Sequence, residues 1–125
     1  MLRRALKSTS PAQWRWAFWM GAAVVLALCL MPPVQHLPST GWDKANHALA
    51  FAMLALLGLL AYPARRAPLL WALIAYGALI EVLQSLTGYR TAEWLDLAAD
   101  GIGVVIGAQL ARWCGARARA AARHT

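Results

Sequence analysis

"WLDLAADGIGVVIGAQLARW", residues 94–113, is the stretch whose reading decides the fold. It is the most polar of four long apolar runs, because Asp96 and Asp100 lie in what would be its first two turns. One reading makes it an amphipathic helix lying in the membrane interface. The other makes it a fourth span. Between Leu97 and Arg112 the sole charge is Asp100, and the run is near the length needed to cross a bilayer, so a span is expected.

Working outward, three more runs of about 18–20 residues reach that length. They are Trp14 to Met31, stopped by Pro32 and Pro33; Lys44 to Tyr62; and a run after Pro68 that continues to Thr87. The 61% hydrophobic content stands well above the roughly 45–50% of globular chains. At 125 residues the chain fits a single domain over 1–125. The expected fold is an all-α membrane protein, a four-transmembrane-helix bundle with both termini cytoplasmic. The opening MLRRALKSTS resembles a signal peptide, but no small-x-small cleavage site follows and two prolines close the apolar run, so a retained anchor is expected. Residues 32–41 read as an extended, proline-stiffened loop. Residues 63–67 and 88–93 read as tight turns joining antiparallel neighbours, and 117–125 as a frayed helical tail on the membrane surface.

The net charge of +7 has an arrangement that excludes a nucleic-acid partner. The basic residues alternate with apolar stretches, which suits contact with an anionic membrane surface. Excess Lys and Arg mark cytoplasmic segments. Arg3, Arg4, Lys7 and Arg15, then Arg65 and Arg66, then Arg112, Arg117, Arg119 and Arg123 make ten of the twelve basic residues. Lys44 and Arg90 are the other two, both beside acids. Four spans in the cytoplasmic (inner) membrane with both termini inside satisfy every segment. Cys29 and Cys114 then lie at opposite ends of a ~30 Å hydrocarbon core and cannot pair; both read as small apolar fillers.

Topology places the polar residues by depth, at ~1.5 Å per residue. Below the outer surface, His47 falls at ~6 Å, Gln84 at ~4 Å, Glu81 at ~9 Å, Asp96 at ~3 Å and Asp100 at ~9 Å. All five acids, His47, Lys44 and Arg90 thus share one layer. An acid at a helix centre costs roughly 2.5–3.5 kcal/mol on insertion scales, so Glu81 and Asp100 need partners or a wet cleft. Asp43 and His47 are spaced i, i+4 on one helix face, with Phe51 below, although Asp43 also suits an N-cap and His47 an interior packing role. Glu81, Gln84 and Ser85 form a second polar face, open to a simple pairing of Glu81 with Arg90 or His47. Asp96 and Asp100 repeat the i, i+4 spacing. Gly103 and Gly107 below them form a small-xxx-small face for close helix approach. Arg90 can grip a phosphate or carboxylate bidentately, or merely neutralise Glu93 or Asp96.

The ordered set Asp43-Lys44-x-x-His47-x-x-x-Phe51, Glu81-x-x-Gln84, Arg90 and Asp96-x-x-x-Asp100 resembles the VanZ-like membrane proteins over roughly residues 40–110. The chain departs from that pattern after Asp100, where "DGIGVVIG" replaces a small polar residue. The resemblance implies a teicoplanin-resistance context and no particular reaction.

Three function classes follow. The leading one is an outward-facing polar cleft among spans two, three and four that handles an anionic cell-envelope substrate such as a lipid-linked phosphate. Lys44 and Arg90 would hold the phosphate, with Asp43, Gln84 and Asp96 also binding, while His47, Glu81 and Asp100 act as general acid and base. In a variant, His47, Glu81, Asp96 and Asp100 ligate a divalent ion, although nothing in the sequence demands a metal and no cofactor is identified. The second class is a non-enzymatic factor binding a membrane lipid, a precursor or a partner protein. The third is a small proton-coupled transporter; it lacks charge in the inner half unless a homo-oligomer supplies it.

Overall fold

The computed structural model of the chain describes residues 9–32 and 42–123. The basic segment 1–8 and the proline-stiffened connection at 33–41 lie outside the described residues. The described residues form four helices: α1 (Pro11–Leu30), α2 (Trp42–Ala61), α3 (Arg66–Leu86) and α4 (Trp94–Ala122). All four are long and apolar enough to cross a membrane.

Their ends follow local chemistry. Helix α1 starts three residues before the expected Trp14 because Ser10 caps it. The Gln13 N–H donates to Ser10 Oγ at 3.3 Å, and the Ser10 N–H donates to Gln13 Oε1 at 2.7 Å, a reciprocal capping box. Pro11 occupies the first helical position, where a missing N–H costs nothing. Helix α3 likewise takes Pro68 into its first turn and so begins at Arg66, ahead of the expected start. It ends at Leu86, and two residues on the chain turns at Gly88, whose φ of 80° lies in the left-handed region that glycine enters without a Cβ penalty. Helix α4 overruns its expected end near Trp113. The alanines and arginines expected to fray are strong helix formers and continue it to Ala122. Its 29 residues span roughly 43 Å, longer than the ~30 Å hydrocarbon core, so its Arg-rich end projects past it.

The helices alternate in direction. Lys44 meets Asp96, His47 meets Asp100, and Gly103 and Gly107 lie against Ala48 and Ala52. These pairs advance together along both helices, so α2 and α4 are parallel neighbours and form the most extensive contact in the bundle. A Cβ on Gly103 or Gly107 would collide with the carbonyl oxygen of Ala48 or Ala52. Backbones come this close in a bilayer because dispersion packing replaces the hydrophobic driving force. Residues 94–113 are therefore built into the bundle beside α2.

Helix α1 runs parallel to α3 and is tied to it through its carbonyls. Tyr76 Oη donates to Ala22 O at 2.5 Å, Gln84 Nε2 to Cys29 O at 2.9 Å, Tyr89 Oη to Leu30 O at 2.5 Å and Arg90 Nε to Met31 O at 3.3 Å. Cys29, Leu30 and Met31 stand at the end of α1, where carbonyls lack intrahelical donors and each unsatisfied group in hydrocarbon costs several kcal/mol; Ala22, in mid-helix, accepts a second bond. At the opposite end Trp19 Nε1 donates to Tyr62 Oη at 3.0 Å, and Phe18 packs edge-on against Tyr62. Cys29 and Cys114 are both free thiols.

Burial is inverted relative to a water-soluble bundle. Asp100 and Gln84 are among the most enclosed side chains, alongside Phe51, Leu54 and Ile80, while Leu86, Trp94, Trp71 and Ile102 are exposed. Trp16, Trp71 and Trp113 ring one end and Trp94 the other, the positions tryptophan favours at membrane–water interfaces.

Candidate functional site

The polar residues gather where α2 and α4 begin and α3 ends. Lys44 Nζ lies 2.8 Å from Glu93 Oε2 and 3.2 Å from Asp96 Oδ1. The Lys44 ammonium, hydrogen-bonded to Glu93, holds that carboxyl below the ordinary glutamate range. One turn deeper, His47 Nδ1 and Asp100 Oδ1 are 2.9 Å apart, with side chains 4% and 0% exposed. From α3, Glu81 Oε2 accepts the Glu93 backbone N–H at 2.9 Å. That N–H sits at the start of α4, where no helical carbonyl reaches it and the helix dipole favours an anion.

Two carboxylate oxygens here, Glu81 Oε1 and Asp100 Oδ2, are buried and have no hydrogen-bond partner among the described residues. One nitrogen or oxygen from each of His47, Glu81 and Asp100 lies within 4.8 Å of the others. Asp43, His47 and Asp96 form a second such group. Gly77 makes room for the deeper one: a Cβ there would stand 2.8 Å from Asp100 Oδ2.

The remaining expected residues divide. Asp43 is exposed in the first turn of α2, where its charge suits the dipole; the cap position itself lies outside the described residues. Gln84 is buried, its amide spent on Cys29 O. Arg90 turns to the end of α1, while Glu93 and Asp96 are met by Lys44. Glu81 makes its hydrogen bond to backbone, and not to Arg90 or His47.

His47, Glu81, Gln84, Asp96 and Asp100 are all buried. A groove of about 640 Å³ runs along α1 and α2 and reaches His47. Its length is apolar, walled by Val24, Leu28, Leu49 and Met53, and one end carries Asp43, Asn46, His47 and Arg90. Glu81 and Asp100 do not line it.

The VanZ/LLP1 family model matches residues 5–115, nearly the whole chain. The chain belongs to the VanZ/LLP1 family. With four apolar helices of spanning length, this VanZ-family chain is a multi-pass membrane protein. No curated protein and no solved structure matches it. Sequence reasoning missed two features of this VanZ-family site. One is the role of Glu93, expected in the layer as a partner of Arg90, which instead serves Lys44 with its side chain and Glu81 with its N–H. The other is α1, whose exposed apolar face supplies a groove wall and whose end holds Arg90. The position of Glu93 just ahead of a helix was a usable signal; nothing in the α1 sequence pointed to the groove.

Proposed function

We propose that this protein binds an anionic, lipid-linked envelope molecule, of the lipid-phosphate class, in the groove between α1 and α2. The observation that carries the reading is the groove's polarity: an apolar trough ends at an arginine and a histidine. A hydrocarbon chain would lie against Val24, Leu28, Leu49 and Met53. The phosphate would meet Arg90, whose planar fork matches phosphate oxygens. Lys44 is held by two carboxylates, which leaves Arg90 as the anion's partner. Asp43 and Asn46 supply hydrogen bonds to the rest of a head group. The polar end faces outward from the cytoplasmic membrane and both termini face the cytoplasm, a reading supported by the ten basic residues at the termini and the α2–α3 turn. The teicoplanin-resistance context of the family fits an envelope lipid.

Acid–base chemistry would fall to His47, the titratable group common to the groove and the buried cluster, with Asp100 orienting its ring as a carboxylate orients a catalytic histidine. A second reading, a binding factor without chemistry, is favoured by one observation: the groove lining contains neither Glu81 nor Asp100.

The test uses the chain purified in a maltoside detergent with dodecyl phosphate and dodecanol as matched probes. Thermal stabilisation by dodecyl phosphate alone is expected. It should weaken in Arg90→Lys, disappear in Arg90→Ala, and disappear when Val24→Trp fills the trough. Equal responses to both probes would sink the reading. Loss of cellular phenotype in His47→Ala and Glu81→Gln, with normal accumulation, would select chemistry over binding.

A further inference from the structure

The bonds inside the bundle leave one thing unexplained: two carboxylates that converge with His47 each keep a buried oxygen without a donor among the described residues. We propose that His47, Glu81 and Asp100 hold a divalent metal ion of the zinc or manganese class.

Geometry comes first. Metal–ligand bonds of ~2.0–2.2 Å place ligand atoms roughly 3–4 Å apart. One donor atom from each of the three residues already lies within 4.8 Å of the others, so a small contraction closes the set. The second observation is independent of that convergence. Glu81 and Asp100 are more than nine-tenths buried, and Glu81 Oε1 and Asp100 Oδ2 accept nothing from the described residues. Asp100 Oδ2 faces the α3 backbone at Gly77, one helical turn from Glu81 and on the same face of α3. Buried polar atoms in native proteins are almost always satisfied, and in hydrocarbon no bulk water reaches them.

Charge points to the same occupant. Lys44 is engaged by Glu93 and Asp96, so it is not the counter-ion of the deeper pair. A dication neutralises both carboxylates and takes a neutral imidazole as its third ligand. One imidazole with two carboxylates suits Zn²⁺ or Mn²⁺ better than a thiolate-seeking ion. Three protein ligands leave a coordination position open, the pattern of catalytic and not of closed structural sites. The shallower group of Asp43, His47 and Asp96 is the poorer candidate, because Asp43 is exposed and Asp96 Oδ1 already binds Lys44.

This proposal goes beyond the lipid-phosphate reading and does not depend on it, although His47 also walls the groove. The experiment uses the full chain in detergent, with His36→Ala and His124→Ala removing the other two histidines. After stripping with EDTA, the protein is exposed to Zn²⁺ or Mn²⁺ alone, desalted and assayed for bound metal, and its melting temperature is followed against ion concentration. A single retained equivalent per chain and a rise in melting temperature with ion are expected. Glu81→Gln and Asp100→Asn should weaken binding by at least the roughly 10–100-fold that loss of an outer-shell partner alone produces, while Asp96→Asn keeps it. If Asp100→Asn does not fold, Glu81→Gln with native helicity carries the comparison. Retention by Glu81→Gln equal to the parent's, or no retention and no shift in the parent, overturns the proposal. Dodecyl phosphate binding repeated in EDTA decides the groove reading separately.

Discussion

At the scale of single residues, the pair His47–Asp100 is the most exacting contact. Removing one member strands the other in a medium without water, which for buried pairs costs about 3–5 kcal/mol. Replacing both by apolar groups removes the stranded charge along with the bond. His47→Leu should therefore lower unfolding free energy in detergent by about 3–5 kcal/mol, and His47→Leu with Asp100→Leu should recover most of it. A double variant as unstable as the single one would show that the pair does not act as a unit. Lys44 and Glu93 behave differently, since both are substantially exposed. The Glu93 pKa is lowered in the folded chain by Lys44, so its contribution is complete above the ordinary glutamate value of ~4.3 and fades as pH falls through the lower folded value. Glu93→Gln should flatten that part of the melting-temperature profile on the acid side and leave neutral pH nearly unchanged, because exposed ion pairs contribute little. A large loss at neutral pH would contradict the assignment.

At the scale of elements, α2 and α4 depend on glycine and α1 depends on borrowed donors. A side chain at Gly103 meets backbone, which cannot swing away, so Gly103→Leu should cost at least the about 1–3 kcal/mol typical of overpacking. Membrane accumulation and melting temperature both report it, and a neutral result would mean that the two helices are not in register as described. Helix α1 fully buries one side chain, Phe18, packs Val25, Leu26 and Cys29 part-buried against the core, and accepts hydrogen bonds from α3 and the turn after it at its carbonyls. Gln84→Leu leaves Cys29 O without its donor and should cost about 1–3 kcal/mol, the range for an unsatisfied buried group. If stability is unchanged, Gln84 is free for the ligand-binding role that the sequence suggested. The small-xxx-small face was legible in advance, because glycine spacing on a helix is a local pattern. The ties to α1 were not, since they depend on which carbonyls stand opposite Tyr76, Gln84, Tyr89 and Arg90 once the helices pack.

At the scale of the whole molecule, alternating helix directions bring the starts of α2 and α4 and the end of α3 to one end. That arrangement turns scattered acids into one layer. Ten of the twelve basic residues belong by sequence to the termini and the α2–α3 turn, which marks those segments as cytoplasmic, so a cysteine at position 90 should react with an impermeant thiol reagent added outside intact cells, with Cys29 and Cys114 replaced by alanine. Labelling confined to inverted membranes would reverse the orientation and move the groove's polar mouth to the cytoplasm. The four apolar runs, the gathering of His47, Glu81, Asp96 and Asp100 in one layer and the family were determined by the sequence alone. Hydropathy and helical rise act along a single dimension, and depth in a bilayer is that dimension. Tertiary structure alone decided which residues touch within the layer: that Lys44 takes Glu93 and Asp96, that Glu81 reaches a backbone N–H, and that a groove opens along α1 and α2. Those outcomes depend on helix rotation and lateral neighbours, which are set by side chains meeting across the bundle and leave no mark on any one helix.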